Sequence, residues 1–471
     1  MIGRKRQIQE LNDLYDSKKA ELVAVYGRRR VGKTYLIDET FKDRITFRHA
    51  GVSPVDCEKK GMLKKQLEAF FFSLMRSGAT GIKRPKSWME AFFLLESFLE
   101  NIDDGSRQLV FIDELPWMDT KRSGFMEAFE NFWNGWACYH DNLMVIVCGS
   151  ANSWMLDNLI NNHGGLYGRT TYEIKLLPFN LRECELFFED RDINYSRYDV
   201  VQSYMAVGGI PYYLGYFRRG ESVPQNIDNL FFSKDAKLRN EFNRLFDSIF
   251  EKPEFMKKIV RTLYKRRKGF SWKELSQELG MAEGGSLLDA INALLASEFI
   301  EKYVPFNNKK NNYYYRLKDS FCSFYLHFVE GRDSLDTEFW KANARSQSVI
   351  SWRGIAFEDV CFNHIKEIKH SLGIGAVDTN QSSWNDNIQI DMVIERKDNV
   401  INLCEMKFYN EEFEVDEDYY ITIRHRENTI AEMVSPVFSI FNTLITTFGI
   451  KENKYSNVFS DVVTLEDLFA D

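Results

Sequence analysis

Residues 22–37 read LVAVYGRRRVGKTYLI, and this stretch decides the fold. An apolar strand leads into a glycine-containing loop and then into an apolar-periodic helix, which is the context that the pattern G-x-x-x-x-G-K-[ST] requires. Gly27 and Gly32 let the backbone curl, so that its N–H groups and the helix N-terminus face phosphate oxygens. Lys33 is predicted to reach the β- and γ-phosphates of a nucleotide, and the Thr34 hydroxyl is predicted to hold Mg²⁺. The predicted nucleotide-binding residues of this stretch are Gly27, Arg28, Arg29, Arg30, Val31, Gly32, Lys33, Thr34 and Tyr35. The alternative interpretation is that the glycines form a turn by chance and that the lysine is exposed to solvent. This alternative does not explain the strand before the loop and the helix after it.

A second apolar strand ends in two acids, because residues 109–114 read LVFIDE. Ligands of open α/β sheets bind at the carboxyl ends of the strands, where Asp113 and Glu114 are expected. Asp113 is predicted to position Mg²⁺ through water, and Glu114 is predicted to polarise the attacking water. An acidic pair after a strand is, taken alone, more often a helix cap or a solvated turn. The phosphate loop favours the catalytic interpretation.

Further strand-like runs at residues 45–51 and 143–150 complete the pattern. Compact aliphatic runs separated by helix-length stretches predict an α/β fold with a parallel sheet that is covered on both faces. Ser150 or Asn152, after the strand LMVIVCGS, is predicted to sense the γ-phosphate, although either side chain is also a good helix cap. Downstream, Arg169 could complete the site of a neighbouring subunit in a homo-oligomer by stabilising transition-state charge. A plain surface arginine is the alternative for Arg169.

The composition of the 471 residues is ordinary for a globular protein of about three domains, with 44% apolar and 28% charged residues. The net charge of -8 excludes a basic surface over the whole molecule, so any contact with nucleic acid requires a local patch. The apolar runs are too short to cross a bilayer, and the basic N-terminus has no apolar segment typical of a signal peptide. Seven scattered cysteines without CxxC spacing exclude a disulfide scaffold and a zinc ribbon. We therefore expect a cytoplasmic protein without membrane association.

A local basic segment interrupts this acidic chain. Residues 252–318 contain 14 Lys and Arg against seven Asp and Glu. They read as two short helices, WKELSQEL and SLLDAINALLASEFI, followed by strands IEKYVPF and YYYRL, a pattern typical of a helix-turn-helix with a wing. Lys309 and Lys310 at the predicted wing tip, together with the stretch KRRKGF (265–270) before the helices, could neutralise DNA phosphates. The alternative is a packing module, since the second helix is apolar and acidic at Asp289 and Glu298.

The C-terminal segment carries a set of acids and one lysine. Residues 352–365 predict an amphipathic helix with Glu358, and residues 388–395 and 401–408 predict a strand hairpin. The period of two puts Glu405 and Lys407 on one face, with Asp391 on the adjacent strand. Three converging carboxylates and a lysine are suited to metal-dependent phosphodiester cleavage, in which Asp391 and Glu405 hold Mg²⁺ or Mn²⁺. Surface ion pairs are the alternative, and a Glu405 bound in a core salt bridge would count against a nuclease. The later Arg424, His425 and Arg426 could touch a phosphate backbone or be plain surface charge.

Six motifs in this order carry a resemblance to a known family: IGRKRQIQEL, GRRRVGKT, LVFIDELPWM, VCGSANSWM, LYGRTTYEIKLLPF and GGIPYYL. The chain resembles the prokaryotic AAA+/STAND-type P-loop ATPases that carry a winged helix and a C-terminal nuclease-like domain. The resemblance implies an ATPase core over residues 1–175, a helical lid over 176–250, a winged helix-turn-helix over 251–330 and a PD-(D/E)XK nuclease-like domain over 345–471. In that last domain, Asp391, Glu405 and Lys407 match the nuclease motif, and Glu358 matches the helix acid of resolvase-like members.

The same resemblance implies that Gly208, Gly209 and Pro211 open the lid and approach the nucleotide, although a plain interdomain turn would use the same residues. The leading hypothesis is therefore a protein that binds and hydrolyses ATP, acts on DNA through the winged helix and tail, and has an Mg²⁺-dependent nuclease tail. The alternative is a STAND-like ATPase switch that acts on protein partners and has a catalytically inactive tail. A purely structural protein does not account for the joint presence of Lys33 and Glu114.

Overall fold

The structure is a computed structural model. It describes residues 2–470 except 54–60, 161–164, 167, 309–311, 333–335 and 386–387. Its internal contacts divide the chain into two compact units. The first unit comprises Met1–Pro178 and Arg244–Pro253, and the second comprises Phe179–Asn243 and Glu254–Asp471. No helix within the described part of the chain has the length and hydropathy needed to cross a membrane.

The first unit contains a five-stranded parallel sheet in the order β2-β3-β4-β1-β5. Its strands are β1 (Glu21–Tyr26), β2 (Phe47–Ala50), β3 (Gln108–Asp113), β4 (Leu143–Gly149) and β5 (Tyr172–Lys175). Its helices are α1 (Lys5–Tyr15), α2 (Lys33–Phe41), α3 (Met62–Arg76), α4 (Trp88–Asn101), α5 (Phe125–Gly135) and α6 (Asn152–Met155). Every residue of β1, β3 and β4 is buried, as a sheet covered on both faces requires. The predicted α/β fold with a parallel sheet is confirmed.

Strand β4 lies between the strand that enters the glycine loop and the strand that ends in the acids. Tyr26 at the end of β1 is opposite Gly149 on β4, and Ile112 on β3 is opposite Val147. The carboxyl ends of these parallel strands therefore meet at one edge of the sheet. The sequence pattern alone did not give this strand order.

The core of the first unit on one face of the sheet is aromatic. Phe70 of α3 contacts the rings of Trp88 and Phe92 of α4, and Phe125 and Phe129 of α5 pack against Phe92. All five side chains are 1% exposed or less. Burial of side chains this large supplies much of the apolar free energy that holds the helices on the sheet.

The second unit is mostly helical in its first part and mixed at its C-terminal end. The remaining helices are α7 (Leu181–Asp190), α8 (Arg197–Val207), α9 (Pro211–Leu214), α10 (Val223–Ile227), α11 (Glu241–Ile249), α12 (Pro253–Tyr264), α13 (Trp272–Leu279), α14 (Gly285–Ala296), α15 (Ser320–Phe324), α16 (Phe339–Asn343), α17 (Gln347–Asn363), α18 (Ile365–Ser371), α19 (Glu417–Met433) and α20 (Leu465–Leu468). The remaining strands are β6 (Phe270–Ser271), β7 (Ile300–Tyr303), β8 (Tyr314–Leu317), β9 (Thr379–Asn385), β10 (Gln389–Arg396), β11 (Val400–Lys407), β12 (Ser439–Thr446) and β13 (Asp461–Val463). Single helical turns with 3₁₀ or π geometry occupy Lys42–Arg44, Leu115–Trp117, Ala137–Tyr139, Leu156–Ile160, Asp228–Phe232, Tyr325–Val329 and Ser456–Val458.

The helices and strands expected within residues 252–318 are present at α13, α14, β7 and β8. Strands β6, β8 and β7 form a small antiparallel sheet in that order. A Cβ on Gly269 would lie 2.0 Å from the carbonyl oxygen of Tyr315, so the close approach of these backbones requires glycine there. Lys309 and Lys310, the predicted phosphate contacts, lie outside the described residues.

The tail folds around a five-stranded mixed sheet in the order β13-β12-β11-β10-β9. Strands β9, β10 and β11 are antiparallel neighbours, whereas β11, β12 and β13 are parallel. The predicted hairpin is β10–β11, and Asn399 in its turn has the left-handed φ of 63°. Helix α17 packs against β11, and α19 connects β11 to β12. This arrangement brings the two acidic strands together under α17.

Candidate functional site

The glycine loop is held in its curled form by two specific contacts. Gly27 has φ 151°, and a Cβ there would lie 2.2 Å from the carbonyl oxygen of Leu176. The Gly27 N–H donates to Asn152 Oδ1 at 2.9 Å. Gly32 has φ 93° and immediately precedes α2. The backbone conformation at both positions, and at Gly27 also the close approach of Leu176, therefore favour glycine. The N–H groups of the loop lie next to the N-terminus of α2.

Lys33 lies inside this loop and is only 5% exposed. Its Nζ donates to the carbonyl oxygens of Gly27 at 2.9 Å and Arg28 at 3.1 Å, and to Ser150 Oγ at 3.0 Å. Burial lowers the pKa of Lys33, although the nearby carboxylate of Glu114 partly opposes this shift. A buried ammonium that is bonded only to neutral oxygens is well suited to exchange them for phosphate oxygens.

Thr34 and Asp113 come together from α2 and from the end of β3. Thr34 Oγ1 donates to Asp113 Oδ2 at 2.8 Å, and Asp113 is 8% exposed. Burial raises the pKa of Asp113, and the hydrogen bond from Thr34 opposes that shift. A hydroxyl and a carboxylate at this distance are oxygen ligands of the kind that Mg²⁺ prefers. These two side chains therefore fit the predicted Mg²⁺ role.

Glu114 is held by the residue that follows β4. Its Oε1 accepts from Ser150 Oγ at 2.6 Å, and its Oε2 accepts from the Ser150 N–H at 3.1 Å. Glu114 has the left-handed φ of 49°, uncommon for a residue other than glycine. Ser150 therefore lies between Lys33 and Glu114, whereas Asn152 supports the backbone of the loop at Gly27. The two residues that the sequence left as alternatives have different contacts.

The flanking residues of the loop are placed in different environments. Arg28 and Val31 are buried, Tyr35 is 58% exposed, and the Arg29 guanidinium lies 5.8 Å from the centre of the Trp117 ring. Arg30 has the left-handed φ of 73°. Arg169 is exposed, as both a surface arginine and a residue aimed at another subunit would be.

The segment around Pro211 belongs to the second unit. Gly208 ends α8 with φ 66°, and Pro211 is the first residue of α9. A Cβ on Gly209 would lie 1.8 Å from the carbonyl oxygen of Phe179, and the Phe179 N–H donates to the Gly209 carbonyl at 2.6 Å. Close backbone packing within the unit thus accounts for Gly209. The approach of Pro211 to a nucleotide stays a prediction.

The tail brings the predicted acids and the lysine into one cluster. The Met406 N–H donates to Asp391 Oδ2 at 2.9 Å, next to a register shift between β9 and β10. Glu405 Oε1 lies 2.5 Å from Lys407 Nζ, so the two side chains share a face as the period of two predicts. Asp391 and Glu405 are 8% and 5% exposed. Burial and the charge of Glu405 raise the pKa of Asp391.

Positively charged side chains and a tyrosine hydroxyl form hydrogen bonds with two of these carboxylates. Glu405 Oε2 accepts from Arg426 Nη1 at 2.5 Å, and Glu405 Oε1 also accepts from the Tyr419 hydroxyl at 2.5 Å. Glu358 Oε2 accepts from Arg267 Nε at 3.1 Å and Nη2 at 2.5 Å. Burial raises the pKa of Glu358 to about 7, although Arg267 opposes the shift. Each acid has a partner from its own unit.

This arrangement bears on the prediction of a divalent-metal site in the tail. Within the described residues, no group of three or more His, Cys, Asp or Glu side chains is arranged to hold a metal ion. The expectation that Asp391 and Glu405 hold Mg²⁺ or Mn²⁺, with Glu358 beside them, stays a prediction; in this structure Glu405 is bound in a buried salt bridge. Arg426 faces Glu405 and is not the surface charge that the sequence suggested.

Sequence reasoning missed the pairing of three side chains with these acids. Arg267 lies 91 residues before Glu358, and no local pattern connects them. The Tyr419 hydroxyl and Arg426 reach Glu405 from α19. Their spacing of seven residues puts both on one face of that helix, which is the only signal the sequence offers.

Comparisons with known proteins agree with the first of these two sites. Residues 1–217 match the family model of an ATPase domain found predominantly in Archaea. An uncharacterized protein of Methanocaldococcus jannaschii is 25% identical over 334 residues, 70% of this chain and 68% of the relative.

Solved structures of archaeal proteins are also similar. The Walker-type ATPase PABY2304 of Pyrococcus abyssi has 16% identity and a TM-score of 0.46, covering 69% of this chain and 96% of that one. The ORC2 protein of Aeropyrum pernix has 15% identity and a TM-score of 0.41, covering 74% of this chain and 96% of that one.

Proposed function

We propose that the protein is an AAA+-type ATPase switch that acts on partner proteins, with a nuclease-like tail that does not cleave DNA. The ATPase domain at residues 1–217 provides the energy source. The choice of protein over DNA rests on one observation, namely that Lys265, Arg266 and Arg267, three of the basic residues expected to bind DNA, pair with carboxylates of the chain itself.

The nucleotide site supplies the parts that ATP hydrolysis requires. The loop N–H groups and Lys33 bind the phosphates, and Lys33 exchanges its carbonyl and Ser150 partners for phosphate oxygens. Thr34 and Asp113 would hold Mg²⁺, which neutralises phosphate charge when bound. Glu114 leaves the Ser150 N–H and hydroxyl and accepts a hydrogen bond from the attacking water, which makes that water a better nucleophile. The resting hydrogen bonds of Glu114 keep the carboxylate away from water until that exchange takes place.

Several cations of residues 252–318 are paired with carboxylates of the chain itself. Among the described residues of this segment, seven cations form ion pairs with carboxylates: Lys257–Glu254, Arg261–Glu330, Lys265–Glu278, Arg266–Glu274, Arg267–Glu358, Arg316–Glu301 and Lys318–Glu298. DNA affinity comes mainly from cations that release counterions from phosphates. Cations already paired in the protein contribute less to that release.

Helix α14, in the position of a recognition helix, also lacks DNA-binding chemistry. Its sequence GSLLDAINALLA contains no Lys or Arg. Its exposed face carries Ser286, Leu288, Asp289 and Asn292, and Leu288 is 46% exposed. An acidic helix face is repelled by the DNA backbone, whereas an apolar side chain with polar neighbours suits a protein interface.

A second candidate function, DNA cleavage by the tail, is favoured by one observation. Glu358, Asp391, Glu405 and Lys407 converge, since the charge of Asp391 raises the pKa of Glu358 and the charge of Glu405 raises that of Asp391. The winged-helix contacts predicted at Lys309 and Lys310 belong to this candidate as well.

The two candidates differ in their response to DNA. ATP turnover of the full chain is measured with Mg²⁺, with and without single-stranded, duplex and branched DNA, and each DNA is then examined for cleavage with Mg²⁺ or Mn²⁺. We expect ATP turnover that Lys33→Ala abolishes, that DNA does not change, and no cleavage. We also expect Lys309→Glu with Lys310→Glu to leave DNA affinity and its salt dependence unaltered. Metal-dependent cleavage that Asp391→Ala eliminates would replace the proposed function with the second candidate.

A further inference from the structure

Residues 254–330, the helix–hairpin segment, are anchored to the tail by an apolar contact. Phe306 follows β7 and packs in a buried cluster with Ile390, Val393 and Leu403 of the tail sheet. Its ring contacts Trp384 edge-on with the ring centroids 5.8 Å apart. Phe306 is 4% exposed, so the loop between the two strands of the hairpin contributes to the core of the tail.

Two arginines of the same segment make charged contacts with α17. Arg316 pairs with Glu301, and its guanidinium lies 4.1 Å from the centre of the Phe362 ring. Arg267 binds Glu358 with two nitrogens and donates to the Ile355 carbonyl at 3.0 Å. The segment is therefore attached to the tail at a carboxylate that the sequence had assigned to metal chemistry.

The acids there, the carboxylate cluster of Glu358, Asp391 and Glu405, face cations of the chain. The cations in contact with Glu358 and Glu405 are Arg267, Lys407 and Arg426. Three carboxyl groups thus face three cations from side chains of the same unit, and Asp359 lies 4.0 Å from Arg267 beside them. The side chains of Glu358 and Glu405 are 14% and 6% exposed, so water screens this balance poorly.

We propose that Arg267 and Arg426 take the place of a divalent cation in the carboxylate cluster, and that Arg267 thereby locks the helix–hairpin segment onto the tail. This inference rests on the proposed function, in which the tail does not cleave DNA. Two guanidinium charges equal the charge of one Mn²⁺ ion, and they come from two different elements, the helix–hairpin segment and α19.

The replacement has a direct consequence for metal binding. If both arginines are removed, the carboxyl groups of the cluster keep only Lys407 as a counter-ion. Buried carboxylates in excess bind a divalent cation or take up protons. The variant Arg267→Ala with Arg426→Ala should therefore bind Mn²⁺ more tightly than the natural chain by tenfold or more, on the order expected for a change of two charges.

The test uses the full chain and Mn²⁺ alone as the probe. Mn²⁺ affinity is measured without nucleotide by calorimetry and by electron paramagnetic resonance for the natural chain and the double variant. The control is Arg266→Ala with Arg424→Ala, which removes neighbouring cations that pair with Glu274 and Glu427 outside the cluster. The control should match the natural chain, and adding Glu405→Gln to the double variant should abolish the gain.

Hydrogen exchange provides the second readout, since the lock should restrain β7 and β8. In the double variant these strands should exchange faster, and Mn²⁺ should not restore their protection, because the ion binds the tail without Arg267. If the alanine variant does not fold, Arg267→Gln with Arg426→Gln keeps the bulk of both side chains and removes the same charges.

A folded double variant that gains no Mn²⁺ affinity would overturn the inference, and so would a natural chain that binds Mn²⁺ as tightly as the variant. Neither result bears on ATP turnover, which depends on residues of the first unit. Cleavage of DNA by the natural chain would instead contradict the proposed function, so the two failures are distinguishable.

Discussion

Arg426→Ala is expected to destabilise the second unit by about 3 kcal/mol, which is the lower end of the range for removing one partner of a buried ion pair. Glu405 is 5% exposed, and Arg426 Nη1 lies 2.5 Å from its Oε2. The lower end applies because Lys407 and Tyr419 remain in contact with the other carboxylate oxygen. At roughly 2 °C for each kcal/mol in a unit of this size, calorimetry should show a melting temperature about 6 °C lower.

Arg424→Ala is the matched control for this substitution. Arg424 lies on the same helix and pairs with Glu427, but the two side chains are 44% and 25% exposed. An exposed pair of this kind contributes about 0–1 kcal/mol. Equal melting temperatures for the Arg424→Ala and Arg426→Ala variants would refute the reasoning, since the buried ion pair would then contribute no more than a surface pair.

The same substitution should change the response to acid. Burial alone would raise the pKa of Glu405, but the charges of Lys407 and Arg426 outweigh it and hold the pKa below its ordinary value. A carboxylate with a lowered pKa contributes stability that is present above its unfolded pKa, about 4.3, and is lost as the pH falls through its folded pKa. The Arg426→Ala variant should lose less stability than the natural chain between pH 5 and pH 3, as measured by urea unfolding.

Two further predictions concern backbone packing and a buried histidine. Gly209→Ala should destabilise the protein strongly, because its Cβ would lie 1.8 Å from the carbonyl oxygen of Phe179. Gly285→Ala on α14, where a Cβ would have no atom within 4 Å, should be neutral or stabilise the protein by up to about 1 kcal/mol. Equal midpoints of urea unfolding for the two variants would contradict this expectation. His49 is 1% exposed, and burial lowers its pKa to about 3. The stability that the neutral imidazole contributes is therefore present above the unfolded pKa of about 6.5 and is lost as the pH falls. The free energy of unfolding should decrease by about 2 kcal/mol between pH 6.5 and pH 5. Urea unfolding of His49→Asn should show a flatter pH profile over that interval, and an unchanged profile would exclude His49 as its source.

The sequence predicted well what neighbouring residues determine together. The loop from Gly27 to Thr34 is contiguous, and its glycines, lysine and hydroxyl are fixed by the strand before it and the helix after it. Asp113 and Glu114 were found because a buried parallel strand must deliver its last residues to the ligand-binding edge. The hairpin β10–β11 was found from the period of two.

The sequence did not indicate the long-range partners of the tail acids. Nothing near Glu358 in the sequence indicates that Arg267 would reach it, and nothing near Glu405 indicates that Arg426 would. Acids in a core segment need a counter-charge, but the sequence does not say whether a metal ion or an arginine supplies it. The roles of Ser150 and Asn152 likewise depended on the strand order, which places β4 between β1 and β3.

The most direct test of the account compares ATP binding and ATP turnover in Lys33→Ala and Glu114→Gln. Binding is measured with a fluorescent ATP analogue, and turnover is measured as phosphate release by the full chain with Mg²⁺. Lys33→Ala should lose binding, because it removes the charge that meets the β- and γ-phosphates. Glu114→Gln should bind ATP as the natural chain does. Its rate of ATP turnover should fall by about 100-fold or more, which is the range for losing a general base. An equal loss of binding in both variants, or natural turnover by Glu114→Gln, would contradict the assignment of these two residues.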